Sequence, residues 1–143
     1  MGVYLQGQGA KQVCLRLTIN HIIGIGIRVH KGNRSKIKGC EISKCRTGIE
    51  VLSADPLVIF NTIRQCTENG VVTIAKLGLR CDGTLRFNRV FQNKDNGFIC
   101  AGVNNHTRIE KNYEITSNRQ AGIKVVEGAT VVISNNSIFG NFT

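Results

Sequence analysis

Residues 88–98, NRVFQNKDNGF, contain a pattern that recurs through the whole chain of 143 residues. The pattern is Asn, any residue, an apolar residue, two further residues and a second Asn, followed by Gly and an apolar residue. Aligned copies have their glycines at Gly2, Gly26, Gly48, Gly70, Gly97 and Gly122, which are 24, 22, 22, 27 and 25 residues apart. A period of 20 to 50 residues is typical of solenoids and other repeat arrays.

Three further columns precede each glycine. The first contains Leu17, Cys40, Asn61, Asn88, Asn112 and Asn136. The second contains Ile19, Ile42, Ile63, Val90, Ile115 and Ile138. The third contains Ile22, Cys45, Cys66, Asn93, Asn118 and Asn141. The alignment requires one extra residue between Asn112 and Ile115.

Apolar residues alternate after each glycine, which predicts short β-strands. Several short strands per repeat, without a segment of helical period, predict an all-β parallel β-helix solenoid of about six coils, each of 22 to 27 residues. A leucine-rich repeat has a similar period, but it would require more Leu and a helical half-repeat. Stacked coils rise by about 4.8 Å, so we expect the residues of one column to lie directly above one another.

The polar columns are explained by this stacking. An inward Asn at a turn can form a ladder of hydrogen bonds with its own kind, and Asn tolerates the left-handed backbone that turns need. Gly before each strand is expected to supply a conformation that a side chain would resist. Six cysteines lie at positions 14, 40, 45, 66, 81 and 100. We interpret them mainly as buried, reduced thiols, although Cys45 and Cys66 are vertical neighbours and a disulfide between them stays open.

The length suffices for one domain, and we interpret 1–143 as a single β-helix segment of a longer solenoid, or of an assembly that covers its ends. No apolar run reaches the 18 residues of a transmembrane helix, and residues 1–25 do not resemble a secretory signal. We therefore expect a cytoplasmic protein, with a nuclear or cytoskeletal location as alternatives. No metal-ligand spacing and no cofactor motif is present, so no metal and no cofactor is expected.

The formal charge of +10 is concentrated near the start of the chain. Residues 1–48 carry a net charge of +8, and residues 49–143 carry +2. The basic cluster consists of Arg28, Lys31, Arg34, Lys36, Lys38, Lys44 and Arg46. It is either a solvated face or a surface that attracts an acidic protein partner. A nucleic-acid partner is the weaker alternative, because no aromatic residues are interleaved with these cations.

Asp55 and Asp82 form the most enzyme-like pair in the chain. Counting six residues back from the first column places Arg34, Asp55, Asp82, His106 and Thr130 in register. Two carboxylates about 5 Å apart could act on a sugar or bind a hard cation. However, both residues lie in turn dipeptides, Asp55-Pro56 and Asp82-Gly83, and ordinary turn chemistry is the favoured explanation for them.

An apolar patch is predicted on the outer surface. The outward column after the glycine contains Tyr4, Arg28, Glu50, Val72, Ile99 and Lys124. Val72 and Ile99 should face solvent beside the longest loop, which carries Leu77 and Leu79. These four residues could form a contiguous interaction site. Alternatively, the loop folds back and buries them against itself.

The repeat pattern resembles the right-handed parallel β-helix proteins of the carbohydrate-binding and sugar-hydrolase class. The resemblance rests on residues 54–63 and 127–138, and it is closest to the eukaryotic intracellular branch, the β-helix F-box and Shc-binding spindle-associated families. It implies a right-handed solenoid. The enzymes of this class use paired acidic motifs, Gly-His-Gly, Arg-Ile-Lys or Trp-rich grooves, and none of these occurs in the sequence. The intracellular branch uses the fold as a scaffold.

We therefore predict a non-catalytic module that presents a rigid surface to a protein partner. The predicted contact residues are Val72, Leu77, Leu79 and Ile99, together with Arg28, Lys31, Arg34, Lys36 and Lys38. One alternative is a carbohydrate-active β-helix of the lyase or glycoside hydrolase kind that uses Asp55 and Asp82. A second alternative is a structural component of a large cytoskeletal or ciliary assembly, because one fold supports unrelated functions.

Overall fold

A computed structural model describes residues 1–142, and the regular structure in that range consists of eighteen β-strands without a helix. Each of six coils contributes three strands. The first strands are β1 (Val3–Gln6), β4 (Ile25–His30), β7 (Thr47–Leu52), β10 (Val71–Ile74), β13 (Phe98–Ala101) and β16 (Ile123–Val126). The second strands are β2 (Val13–Leu15), β5 (Lys36–Lys38), β8 (Leu57–Ile59), β11 (Thr84–Arg86), β14 (Arg108–Glu110) and β17 (Val132–Ser134). The third strands are β3 (Thr18–Asn20), β6 (Glu41–Ser43), β9 (Thr62–Arg64), β12 (Arg89–Phe91), β15 (Glu114–Thr116) and β18 (Ile138–Phe139).

Equivalent strands of successive coils pair in parallel and form three six-stranded sheets. We call them sheets 1, 2 and 3, after the first, second and third strands. The first, second and third corners of a coil follow its strands in sheets 1, 2 and 3. Ile27 pairs with Ile49, and Ile42 pairs with Ile63, as the sequence columns predict. The predicted all-β parallel solenoid of six coils is therefore confirmed.

The core lies along the axis of the solenoid and is formed by the inward side chains of all three sheets. Its largest fully buried members are Phe98 and a set of Ile, Leu and Val residues from the second to the fifth coil. The short strands suit this design because a β-strand points alternate side chains inward. A three-residue strand such as β5 therefore buries only its central residue, Ile37.

The two predicted asparagine ladders are present at the second and third corners. Asn88 accepts hydrogen bonds from the backbone N–H and the side-chain amide of Asn61, at 3.0 and 3.1 Å. Its own amide donates to the carbonyl of Val58 and to the side chain of Asn112. The ladder through Asn93, Asn118 and Asn141 repeats this geometry. Each amide thus satisfies buried backbone groups of the neighbouring coils.

The sequence suggested that these asparagines have the left-handed backbone conformation. In the structure they do not. That conformation lies on the residue before each one, for example on Phe60, Phe87 and Gln92, which have φ angles of 57°, 58° and 57°. The corner is turned by that preceding residue. The asparagine itself can therefore point its side chain inward, where it forms the hydrogen bonds of the ladder.

The repeated glycines also have a different role from the expected one. None of the six has a positive φ angle. A Cβ atom on Gly48 would lie 2.7 Å from the carbonyl oxygen of Gly70 and 2.5 Å from a methyl group of Ile63. Glycine is therefore required at this column because the coils approach too closely for a side chain.

All six cysteines are buried and unbonded, which confirms the interpretation as reduced thiols. Cys40, Cys45 and Cys66 occupy ladder positions, where their thiols contact backbone carbonyls at 3.5 to 3.8 Å. Burial raises the pKa of the Cys66 thiol to about 12. The thiols therefore act as small apolar core groups in the first half of the solenoid.

Replacing Asn88 by Ala should strongly destabilise the protein, because it leaves the N–H of Asn61 and the carbonyl of Val58 buried without their partners. We expect a loss of about 3 kcal/mol in the free energy of unfolding, measured by denaturant titration. Asn136→Ala is the matched control at the partly exposed end of the same ladder and should cost about 1 kcal/mol. Equal losses for the two variants would contradict the ladder as the source of stability.

Candidate functional site

A groove of about 740 Å³ lies along the first corner, beside the loop that follows β10. We call residues 76–80 the coil-4 loop. The groove combines cationic, anionic and apolar groups from four successive coils. Its lining includes Gln8, Lys31, Arg34, Asp55, Leu79, Arg80 and Asp82.

Asp55 and Asp82 occupy neighbouring coils within this groove, in the register that the sequence predicts. The backbone N–H of Asp55 donates to the carbonyl of Asn33, and that of Asp82 donates to the carbonyl of Ala54. Adjacent coils are about 4.8 Å apart, so the two residues are direct neighbours along the axis. The sequence register therefore correctly predicted that Asp55 and Asp82 lie at equivalent positions of adjacent coils.

Each of the two carboxylates has its own arginine. Arg34 forms an ion pair with Asp55 at 3.4 Å. Arg80, from the coil-4 loop, contacts both oxygens of Asp82, at 2.9 and 3.0 Å. The arginines balance the charge that two adjacent carboxylates would otherwise leave unpaired.

The pKa values of the two carboxyl groups shift in opposite directions. Burial raises the pKa of Asp55 above its ordinary value, and the nearby charge of Asp82 adds to this, although Arg34 opposes it. The hydrogen bond from Arg80 lowers the pKa of Asp82, and the charges of Arg80 and His106 act in the same direction. Opposite shifts in two neighbouring carboxyl groups are the arrangement that an acid and base pair requires.

The coil-4 loop is held firmly at several points. The backbone N–H of Lys76 donates to the hydroxyl of Ser53 at 2.8 Å, and that of Leu79 donates to the carbonyl of Lys76 at 2.9 Å. Gly78, with a φ angle of 75°, closes this turn without strain. After the loop, Cys81 forms an isolated parallel β-bridge with Asn105 in the next coil. The backbone of the loop is therefore held at both ends, and it presents Leu77 to solvent.

The four residues of the predicted apolar patch do not line one common hollow. Leu77 is fully exposed and Leu79 is half exposed, so the loop does not fold back over them. Leu79 lines the groove on one side of the loop, whereas Leu77 lines a smaller cleft of about 240 Å³ on the other. Val72 and Ile99 are half buried on the outer face of sheet 1. Neither of them is among the residues of 1–142 that line the groove or the smaller cleft.

The smaller cleft contains a residue that sequence reasoning missed. Val103, at the first corner of the fifth coil, is mostly exposed and lies across the cleft from Leu77. Lys76 and Glu127 line the same cleft. No column of the repeat alignment indicated Val103, because the loops differ in length and have no common pattern.

The basic cluster forms a ring around the solenoid, and it does not make a single patch. Arg28 lies on sheet 1, Lys31 and Arg34 on the first corner, and Lys36 and Lys38 on sheet 2. This follows from the fold, because the residues of one coil run once around the solenoid and pass through all three sheets. Three members pair with acidic residues directly above them, as Arg28–Glu50 at 2.9 Å, Arg34–Asp55 at 3.4 Å and Arg46–Glu68 at 3.1 Å.

Three aromatic rings cluster on the second corner, and the repeat pattern did not predict this cluster. Phe60 and Phe87 are stacked with their ring centroids 5.0 Å apart. Tyr113 lies 5.8 Å from Phe87 and 6.4 Å from Phe60. Tyr113 is the extra residue that the alignment required between Asn112 and Ile115, because Glu114 and not Tyr113 pairs with Arg89. We call these three residues the aromatic corner.

Comparisons with known proteins identify the fold family. The family model described as right handed beta helix region matches residues 1–143, so the chain belongs to that family. The match reaches the fold family and does not extend to the eukaryotic F-box or Shc-binding families. Neither the curated proteins nor the solved structures give a match. No helix in residues 1–142 is long and apolar enough to cross a membrane, and no group of three or more metal-ligating side chains occurs in that range.

Replacing Arg80 by Gln should raise the pKa of Asp82 towards its ordinary value, because the hydrogen bond from Arg80 is the largest cause of its lowering. Carboxyl ¹³C NMR titration measures this directly. In the folded wild type, Asp55 should titrate at a higher pH than Asp82. Arg119→Gln, on the third corner, is the control and should leave Asp82 unchanged.

The stability contributions of the two groups have opposite signs. The lowered pKa of Asp82 stabilises the fold above the ordinary value, and this contribution is lost as pH falls through the folded pKa. The raised pKa of Asp55 favours the fold at acidic pH, and that contribution is lost as pH rises through the folded pKa. A titration in which Asp82 protonates before Asp55 as the pH falls would contradict the assignment.

Proposed function

We propose that this right-handed β-helix is a non-catalytic protein-interaction module whose contact surface centres on the coil-4 loop. The observation that supports the proposal most directly is the full exposure of Leu77 on a loop that hydrogen bonds hold in place. A loop whose backbone is already held in place loses less conformational entropy when a partner buries its side chains. Exposed apolar surface of this kind commonly marks an interaction site.

The charges around the loop favour an acidic partner. Asp55 and Asp82 in the groove are already paired with Arg34 and Arg80. Lys31 in the groove forms no ion pair in residues 1–142, so positive charge is in excess on the groove side of the loop, whereas Lys76 and Glu127 balance each other in the cleft. Charges of this kind mainly increase the rate of association, and salt weakens their effect.

Replacing Leu77 by Ser should abolish partner capture without unfolding the protein, because the side chain makes no core contact. We expect a loss of at least about tenfold in affinity, as for an interface anchor. The measurement is a cross-linking pull-down, read out by mass spectrometry, and then a titration with the partner it identifies. Val13→Ser is the matched control, because Val13 is an exposed apolar residue on the outer face of sheet 2.

The pattern of losses decides between the outcomes. Loss of the same partners with Leu77→Ser but not with Val13→Ser supports the proposed surface. An unchanged set of partners with both variants would show that the coil-4 loop is not the contact site. Ile99→Asp is a less decisive variant, because Ile99 is half buried between Val72 and Lys124 on sheet 1.

A carbohydrate-active β-helix is the second candidate, and the opposite pKa shifts of Asp55 and Asp82 favour it. In this case Asp55 would be the protonated acid and Asp82 the ionised partner on a sugar chain in the groove. The double variant Asp55→Asn/Asp82→Asn should then abolish the release of reducing ends or unsaturated products from a panel of acidic and neutral polysaccharides. If the wild type releases neither kind of product, this candidate is wrong.

A further inference from the structure

The aromatic corner is exposed to solvent, although aromatic side chains are usually found in protein cores. Tyr113 is 56% exposed and Phe60 is 45% exposed. The rings follow one another on the third, fourth and fifth coils, so they form a short line along the axis. A cluster of three rings, two of them exposed, in a chain with only eight Phe and Tyr residues calls for a functional explanation.

The turn itself does not require these rings. The same left-handed position in the other coils contains Arg16, Gly39, Lys111 and Asn135. Phenylalanine is an unfavourable choice there, because bulky residues resist a positive φ angle. Tyr113 comes from an insertion that the neighbouring coils lack. The rings are thus additions to the repeat, and the fold would close without them.

Cations surround the rings on the same corner. The ammonium group of Lys38 lies 5.8 Å from the centre of the Phe60 ring, and the guanidinium group of Arg86 lies 6.0 Å from that of Phe87. The side chain of Arg16 extends across Gly39, and Lys111 occupies the corner of the fifth coil. Four of the six coils therefore carry positive charge at this corner, and on two of them the cation lies over an aromatic ring.

Three acidic residues lie near this region and reduce its charge only in part. Glu110 is shared between Arg86, at 4.0 Å, and Arg108, at 3.5 Å. Glu114, beside Tyr113, is paired with Arg89 at 2.7 Å. Glu41 lies at the start of β6, one coil below Phe60. Lys38, Arg16 and Lys111 have no ion-pair partner in residues 1–142, so the corner retains a net positive charge.

We propose that the aromatic corner binds single-stranded nucleic acid, with a base stacked on Tyr113 and the adjacent phosphates bound by Lys38, Arg86 and Lys111. The stacked faces of Phe60 and Phe87 contact each other, so Tyr113 provides the ring face that a base can cover. Aromatic rings interleaved with cations are the features that bind single strands without sequence preference. A duplex does not fit this chemistry, because its bases are already stacked.

The sequence does not reveal this combination of rings and cations, because the three rings are each about one repeat apart. Phe60 and Phe87 are 27 residues apart, and Tyr113 follows after 26 more. The sequence argument against nucleic acid required aromatics within the basic segment itself. In the folded chain Phe60 lies beside Lys38 of the basic segment because successive coils stack, so that argument does not apply.

The test is a fluorescence anisotropy titration of labelled oligouridine and oligothymidine, each about 12 nucleotides long, against the wild-type protein. An abasic oligonucleotide of the same length is the matched probe, since it has the phosphates and lacks the bases. We expect the base-bearing strands to bind about tenfold more tightly than the abasic strand. Affinity should fall as salt rises, because the bound phosphates release counterions.

Two sets of variants separate stacking from charge. Tyr113→Leu should weaken binding of the base-bearing strand about tenfold and leave the abasic strand unchanged, whereas Tyr113→Phe should retain binding. Tyr4→Leu, at an exposed tyrosine on sheet 1, is the control and should have no effect. Lys38→Gln should weaken both probes, whereas Lys44→Gln on the third corner should weaken them less. Circular dichroism melts confirm that each variant is folded.

Four results would overturn the proposal. The first is an absence of binding to either base-bearing strand at low salt. The second is equal affinity for the abasic and base-bearing strands. The third is an unchanged affinity in Tyr113→Leu, which would show that no base stacks on this ring. The fourth is binding of heparin as tight as that of the oligonucleotides, which would indicate a surface that attracts any polyanion. Each of these outcomes is independent of the coil-4 loop and so of the proposed protein partner.

Discussion

The in-register pairing of each coil with the next is the constraint on which the rest of this structure depends. Every strand of a middle coil forms backbone hydrogen bonds with the equivalent strands above and below. Because the pairing is parallel and in register, a residue type repeated at the coil period becomes a continuous column. The asparagine ladders, the close approach of the glycines and the Arg28–Glu50 ion pair are all consequences of that one alignment. A shift of a single residue would turn the inward isoleucines outwards.

This constraint explains why so much of the fold could be predicted from the sequence. The columns of Ile, Asn and Gly record the register directly, and they located the strands, the ladders and the Asp55–Asp82 pair. The physical reasons assigned to them were less accurate. Left-handed backbone lies on Phe60 and Phe87, not on the asparagines that follow, because turn conformation depends on φ angles that residue identity indicates only weakly. The glycine column is required by interatomic contact between coils, which a single sequence does not reveal.

The surface was harder to predict, because neighbours along the sequence are not neighbours on the surface of a solenoid. The cluster of residues 28–46 follows one circumference, so its charges face different directions. Conversely, residues 22 to 27 positions apart become adjacent, as Arg34 and Asp55 do at 3.4 Å. A surface patch must therefore be sought down the columns of an alignment. A loop side chain such as Val103 escapes even this approach, because loop length varies between coils.

The departures from the repeat are the best guide to what the molecule does. A residue inserted at a corner does not disturb the inward columns, so the core places little constraint on its identity. The coil-4 loop and Tyr113 are two such insertions, and each places exposed apolar or aromatic side chains beside unpaired lysines. Solvent does not favour large exposed apolar groups, and the core does not require them at these positions. Their presence at both insertions is therefore best explained by binding, with the regular coils acting as the rigid support that holds the two surfaces on different corners of one solenoid.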